Sequence, residues 1–131
     1  MITHGEEETI AYAREYAGKL ERGDIVLLYG DMGAGKTVFA KGIAEGLGIR
    51  DEVVSPTYAY VNDYGGILYH FDCYRLESGE QAEAMGLCDY FYAGGICLIE
   101  WPQNIRSVLP ESAKRIDIRK ISGDEREITV T

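Results

Sequence analysis

Eight consecutive residues constrain this chain more than any others: Gly30-Asp31-Met32-Gly33-Ala34-Gly35-Lys36-Thr37. They spell G-x-x-x-x-G-K-T, the spacing of a phosphate-binding loop. The motif has meaning only between a strand and a helix, and its flanks predict both. Asp24-Ile25-Val26-Leu27-Leu28-Tyr29 is a continuous apolar run after its first residue, the signature of a buried parallel strand. Downstream, Ala40, Ile43, Ala44 and Leu47 recur at helical spacing, and Gly48 is a helix stop.

That context carries a chemical expectation. Glycines without Cβ let the backbone approach a phosphate chain, and the N–H groups of the bend and of the helix start point at it. Asp31, Met32, Gly33, Ala34, Gly35, Lys36, Thr37 and Val38 are therefore the expected nucleotide-binding residues. Lys36 is expected to reach the β- and γ-phosphates and Thr37 to place its hydroxyl on Mg²⁺.

The rest of the chain predicts an α/β fold. Thr3 and Glu6 have capping-box spacing ahead of a helix whose apolar face is Ile10, Ala13, Ala17 and Leu20, ended by Gly23. Tyr58–Val61 and Ile67–Phe71 flank Asn62-Asp63-Tyr64-Gly65-Gly66 and read as a hairpin. The stretch 77–92 reads as partly helical with a break near Gly86, and Ile96-Cys97-Leu98-Ile99 as a second central parallel strand. Residues 115–119 and 127–130 alternate across Ser122-Gly123-Asp124, which predicts a closing antiparallel hairpin at a sheet edge. The expectation is one domain: a phosphate-loop, three-layer sandwich with a mixed sheet, parallel at its centre, and antiparallel hairpins.

Two further places carry chemistry. Glu100 directly follows the second apolar run, where a carboxylate at the carboxyl end of a central strand can hold Mg²⁺ opposite Thr37; the competing reading is a surface glutamate. In His70-Phe71-Asp72-Cys73-Tyr74-Arg75, alternation puts His70, Asp72 and Tyr74 on one side. Asp72 suits the orienting of an attacking water or of a water on Mg²⁺, and Arg75 the pairing of a carboxylate or a phosphate. Spacing alone leaves a solvated strand end equally open. Ser55-Pro56-Thr57 offers two hydroxyls beside a rigid proline but commonly makes only turns. Trp101 reads as packing.

Composition narrows the partners. The formal net charge is −9, which argues against stable direct binding of a nucleic acid, whose affinity comes from Lys and Arg on phosphates. Cys73, Cys88 and Cys97 are odd in number and lack metal-ligand spacing; with no membrane-length apolar run and no signal-like start, a cytoplasmic location with reduced thiols is expected. Asp63-Tyr64-Gly65-Gly66 matches D-x-x-G but falls in the hairpin turn, and no N-K-x-D follows, so ATP is preferred to GTP by elimination.

Taken together, the phosphate loop, Ser55-Pro56-Thr57, His70-x-Asp72-x-Tyr74-Arg75 and Glu100-Trp101-Pro102 resemble, in order and spacing, the TsaE family (formerly YjeE). The resemblance runs over nearly the whole chain. It implies an ATPase, slow alone, that acts with the TsaB–TsaD pair in making N6-threonylcarbamoyladenosine at tRNA position 37, and so meets tRNA only through that complex. It implies Thr57 near the γ-phosphate, Asp72 as the required aspartate beside Lys36, and Glu100 as the Mg²⁺ ligand partnering Thr37. Arg126 is the candidate to lie against the base. Met32, Val38 and Tyr58 stand where the family commonly has Leu, Thr and Phe; none of these removes a phosphate or metal ligand. Two other classes stay open: a small-molecule kinase with Asp72 as base, disfavoured by the lack of an arginine cluster for a lid, and a non-enzymatic ATP sensor working through the Ser55-Pro56-Thr57 loop.

Overall fold

The computed structural model describes residues 1–56 and 59–131. Seven strands form one sheet. In chain order the elements are β1 (Ile2–His4), α1 (Glu6–Ala17), β2 (Ile25–Tyr29), α2 (Lys36–Gly46), β3 (Val61–Tyr64), β4 (Leu68–Asp72), α3 (Gly79–Ala84), β5 (Ile96–Glu100), β6 (Lys114–Ser122) and β7 (Glu125–Val130). Short 3-10 helices occupy Leu87–Tyr92 and Pro102–Val108. The strand order is β1-β7-β6-β2-β5-β4-β3. The central four, β6, β2, β5 and β4, run parallel, and β1–β7, β6–β7 and β3–β4 are antiparallel.

Both faces of the centre are covered, which is why β2 and β5 are apolar without alternation. Val26, Leu28, Leu98 and Ile116 face α1 and α2 and join Phe39, Ala40 and Ile43 in one core. Ile25, Leu27, Cys97 and Ile99 face the other way, against Leu87, Phe91, Ala82 and Ile105. The result is the three-layer sandwich expected. The helices α1 and α2 meet so closely that a Cβ on Gly42 would lie 2.5 Å from the Ala13 Cβ; only glycine fits there.

The ends of elements depart from expectation in ways with clear causes. The Thr3–Glu6 capping box does not form. Thr3 lies in β1, which pairs with β7, and its hydroxyl is buried against that of Thr9 at 2.7 Å. Gly5 occupies the N-cap with no side-chain bond. A strand whose partner lies at the other end of the chain outcompetes a local cap, and sequence spacing does not reveal it. Because β1 takes the outer position, the β6–β7 hairpin is not the edge that was expected. Helix α1 ends at Ala17, not near Gly23, so Leu20 lies beyond it. Gly23, at φ 90°, serves the turn into β2. Gly48 does close α2: its φ is 79°, and Ile49 N–H returns to the Ala44 carbonyl at 2.9 Å.

The hairpin is present but its turn is tighter than expected. Asn62, Asp63 and Tyr64 belong to β3 and pair with β4. The reversal sits on Gly65 and Gly66, both at positive φ, and the Asp63 carboxylate accepts the Gly66 N–H at 2.8 Å. That bond gives the D-x-x-G match a turn-capping role. Tyr60 has φ 64°, which ends the extended segment before it reaches the expected start; Thr57 and Tyr58 lie outside the described residues. The helical break at Gly86 (φ 78°) and the second central strand at 96–100 fall where expected.

Candidate functional site

The bend between β2 and α2 is built as the motif requires. Gly33 and Gly35 have φ 79° and 104°, and Gly35 is the N-cap of α2, with no side chain bonded across it. Phe39 N–H is the first to return into the helix, to the Gly35 carbonyl at 3.0 Å. The amides of Lys36, Thr37 and Val38 therefore have no intrahelical acceptor and carry the positive end of the helix dipole.

Register brings the carboxylates to this bend. β2, β5 and β4 are neighbours, and their pairing sets Leu28 beside Glu100 and Glu100 beside Asp72. All three strands thus deliver their carboxyl ends to the start of α2, the position at which open α/β sheets bind ligands. A cleft of about 410 Å³ lies there, lined by Lys36, Thr37, Ser55, Asp72, Glu100 and Trp101. Gly5, Glu6 and Thr9 from the β1–α1 junction line it too, with Asp124 and Arg126 from the last hairpin.

Lys36 is buried, at 7% exposure, yet makes no hydrogen bond or ion pair among the described residues. Its ammonium lies 4.0 Å from the centre of the Trp101 ring. Burial pushes its pKa down, while Glu100, Asp72 and Asp31 pull it up. Asp72 is held from two sides: Ser55 Oγ donates to Oδ2 at 3.2 Å and Tyr74 N–H to Oδ1 at 3.0 Å. Glu100 is buried, and His70 Nε2 lies 2.6 Å from its Oε2. Arg126 donates Nε–H to the Ala34 carbonyl at 2.9 Å and Nη1–H to the Gly123 and Glu125 carbonyls at 2.8 and 3.0 Å.

Of the expected site residues, Met32, Gly33, Gly35, Lys36, Thr37, Val38, Asp72, Glu100 and Arg126 share this cleft. Ala34 is buried beneath the bend and Asp31 is exposed on it, facing a second cleft. Thr57 lies outside the described residues. Three features were not singled out from sequence. His70 is fully buried and touches Glu100; the signal was its place two residues before Asp72 on the same face. Trp101 was read as packing but forms a wall of the cleft, with φ 56° turning the chain directly after Glu100. The β1–α1 junction was read only as a helix start, and the β1–β7 pairing brings it here.

The chemistry of this donor set fits a magnesium nucleotide. An unpaired ammonium beside free helix-start amides, both lining the cleft, is an anion site. A hydroxyl and two carboxylates across the cleft supply hard oxygen ligands. Among the described residues no cluster of three or more His, Cys, Asp or Glu forms a metal cage; Mg²⁺ takes few protein ligands and keeps phosphates and waters for the rest.

Comparison with known proteins gives the family of the chain. The family model described as "Threonylcarbamoyl adenosine biosynthesis protein TsaE" matches residues 3–128. The chain belongs to the TsaE family. It is 47% identical over 128 residues to a Bacillus subtilis tRNA threonylcarbamoyladenosine biosynthesis protein TsaE, covering 95% of this chain and 80% of that protein. To the Treponema pallidum TsaE it is 40% identical over 131 residues, covering 98% and 97%. The crystal structure of Bacillus subtilis YdiB superposes with a TM-score of 0.83 at 41% identity, over 99% of this chain and 82% of that one.

Proposed function

We propose that this TsaE-family protein binds and hydrolyses Mg–ATP in the cleft before α2, as a working subunit of tRNA threonylcarbamoyladenosine synthesis. The observation that carries the nucleotide reading is Lys36: a largely buried side chain whose ammonium has no ion pair among the described residues and lines the cleft, at the start of a helix whose first amides are also free. The names of its relatives support the tRNA role.

In this reading the triphosphate lies on Gly33–Thr37, with Lys36 against its terminal phosphates. Thr37 and Glu100 would hold Mg²⁺, which when bound would supply charge neutralisation at the phosphates. Asp72 accepts a hydrogen bond from the attacking water, and the bonds from Ser55 and Tyr74 fix its orientation. Thr57 is assigned to the γ-phosphate by family resemblance. The base lies toward Arg126 and the β1–α1 junction. Catalysis then comes from positioning and charge neutralisation.

Arg126 is the one arginine lining the cleft among the described residues, and its guanidinium is already bonded to the Ala34, Gly123 and Glu125 carbonyls. An arginine finger, worth about 10³–10⁵ in rate, then comes from a partner, which makes the isolated protein slow. TsaB–TsaD is the partner that the resemblance implies. No helix among the described residues is long and apolar enough to cross a membrane, and a cytoplasmic location suits this work.

The test is reconstitution. With TsaB, TsaD and tRNA, the wild-type chain is expected to raise ATP turnover and support repeated rounds of modification, and Lys36→Ala and Asp72→Ala to abolish both. Full modification by either variant would remove the proposal, as would failure to recover TsaB and TsaD in an ATP-dependent pull-down.

A further inference from the structure

A histidine on a central strand, at 0% exposure, is costly to bury. His70 stands on β4 between Leu68 and Asp72 and pairs in register with Leu98 of β5. Its diagonal neighbour on the same face is Glu100, and the two side chains meet at 2.6 Å through Nε2 and Oε2. The facing atom is a carboxylate oxygen, an acceptor, so Nε2 carries the hydrogen and donates it. The other ring nitrogen, Nδ1, is buried without a partner among the described residues. The ring therefore makes a single directed bond and forgoes its second.

That bond has a geometric effect. Glu100 is confined by burial and held at Oε2, and its Oε1 accepts no hydrogen bond among the described residues. The carboxylate thus cannot turn to present both oxygens alike. We propose that His70 is a positioning residue that fixes Glu100 so that one oxygen is reserved for the divalent metal of the nucleotide complex. This rests on the reading of Glu100 as a Mg²⁺ ligand and adds the group that orients it. Partners of this kind, one bond removed from the metal, change metal affinity about 10–100-fold when removed.

The test is Mn²⁺ binding in the presence of ADP, read by the electron paramagnetic resonance signal of free Mn²⁺, with ADP affinity in EDTA measured alongside. His70→Leu removes the donor. His70→Asn keeps a polar side chain too short to reach Glu100, and decides the matter if the leucine variant does not fold. His70→Gln places an amide N–H near the Nε2 position. Expected are a loss of Mn²⁺ affinity of about 10–100-fold in the leucine and asparagine variants, near-wild-type affinity in the glutamine variant, and unchanged ADP affinity in EDTA. Wild-type Mn²⁺ affinity in the asparagine variant would overturn the inference, and so would a glutamine variant as weak as the asparagine one. If the wild-type protein with ADP bound no Mn²⁺, or bound it as well after Glu100→Gln, the metal reading of Glu100 itself would fall.

Discussion

Two clefts flank the phosphate loop, and they are nearly equal in size, about 410 and 440 Å³. One holds Lys36, Thr37, Asp72 and Glu100. The other holds Asp31, Asp117, Arg119, Lys120 and Glu127. The second is nearly as rich in charge, with five charged residues against six, but much of that charge is already matched. Arg119 meets Glu127 at 2.8 Å, and Asp117 takes both Nε and Nη2 of Arg115 at 2.9 and 3.0 Å. These pairs are exposed and solvated, so they are weak and neither need nor organise a ligand. In the first cleft the Lys36 ammonium has no ion pair among the described residues, the helix-start amides are open, and Asp72 and Glu100 are held by Ser55, Tyr74 and His70. What separates a site from a hollow here is unsatisfied polarity at a helix start.

The comparison can be broken by substitution, and the largest effect belongs to the first cleft. Asp72→Asn is expected to lower partner-stimulated ATP hydrolysis by about 10²–10⁴-fold, the range for loss of a positioned base, while leaving ADP affinity within a few-fold. A variant as fast as wild type, followed by phosphate release, would remove Asp72 from the chemistry. Arg126→Ala comes next. It cuts the charged tie between the loop and β7, so ADP affinity by calorimetry should fall about tenfold, as loss of a charge-assisted bond predicts. An unchanged affinity would mean that the loop holds its shape without that tie. On the other side of the loop, Arg119→Ala removes only an exposed pair. It should leave nucleotide affinity unchanged and thermal stability within about 0.5 kcal/mol; a loss comparable to that of Arg126→Ala would make the second cleft part of the site.

The smallest effect concerns the thiols behind the site. Burial pushes Cys73 and Cys97 up to about 12, and raises half-buried Cys88 as well. At pH 8 a thiol reagent should modify only Cys88 in the folded protein, and slowly. The folded values exceed the unfolded ones, so this contribution to stability is complete below about pH 8.5 and declines as pH climbs toward 12. Rapid labelling of Cys73 or Cys97 in folded protein at pH 8 would show that the core opens far more easily than its packing implies.

Much of the site could be read in the chain because its parts are local. Gly30–Thr37 sits between a strand and a helix that each declare themselves, and Glu100 directly follows an unbroken apolar strand. What escaped reading depends on pairing between distant segments. β1 exists only because β7 lies beside it, so Thr3 looked like a cap and the β1–α1 junction like a plain helix start. His70 touches Glu100 because β4 and β5 are parallel in one particular register, which alternation within β4 does not specify. Arg126 could be nominated but not explained, since its bond to Ala34 spans most of the chain. Trp101 was judged by residue type, whereas its positive φ, which swings the ring beneath Lys36, is a property of the fold.

The most direct measurement is a calorimetric titration of ADP in magnesium-containing buffer into the wild-type chain and into Lys36→Ala. The account predicts a single site in the wild type, weakened by about 10–100-fold, the worth of a charged contact to phosphate, in the folded variant. Equal binding by the two proteins, or no binding by the wild type, would contradict it.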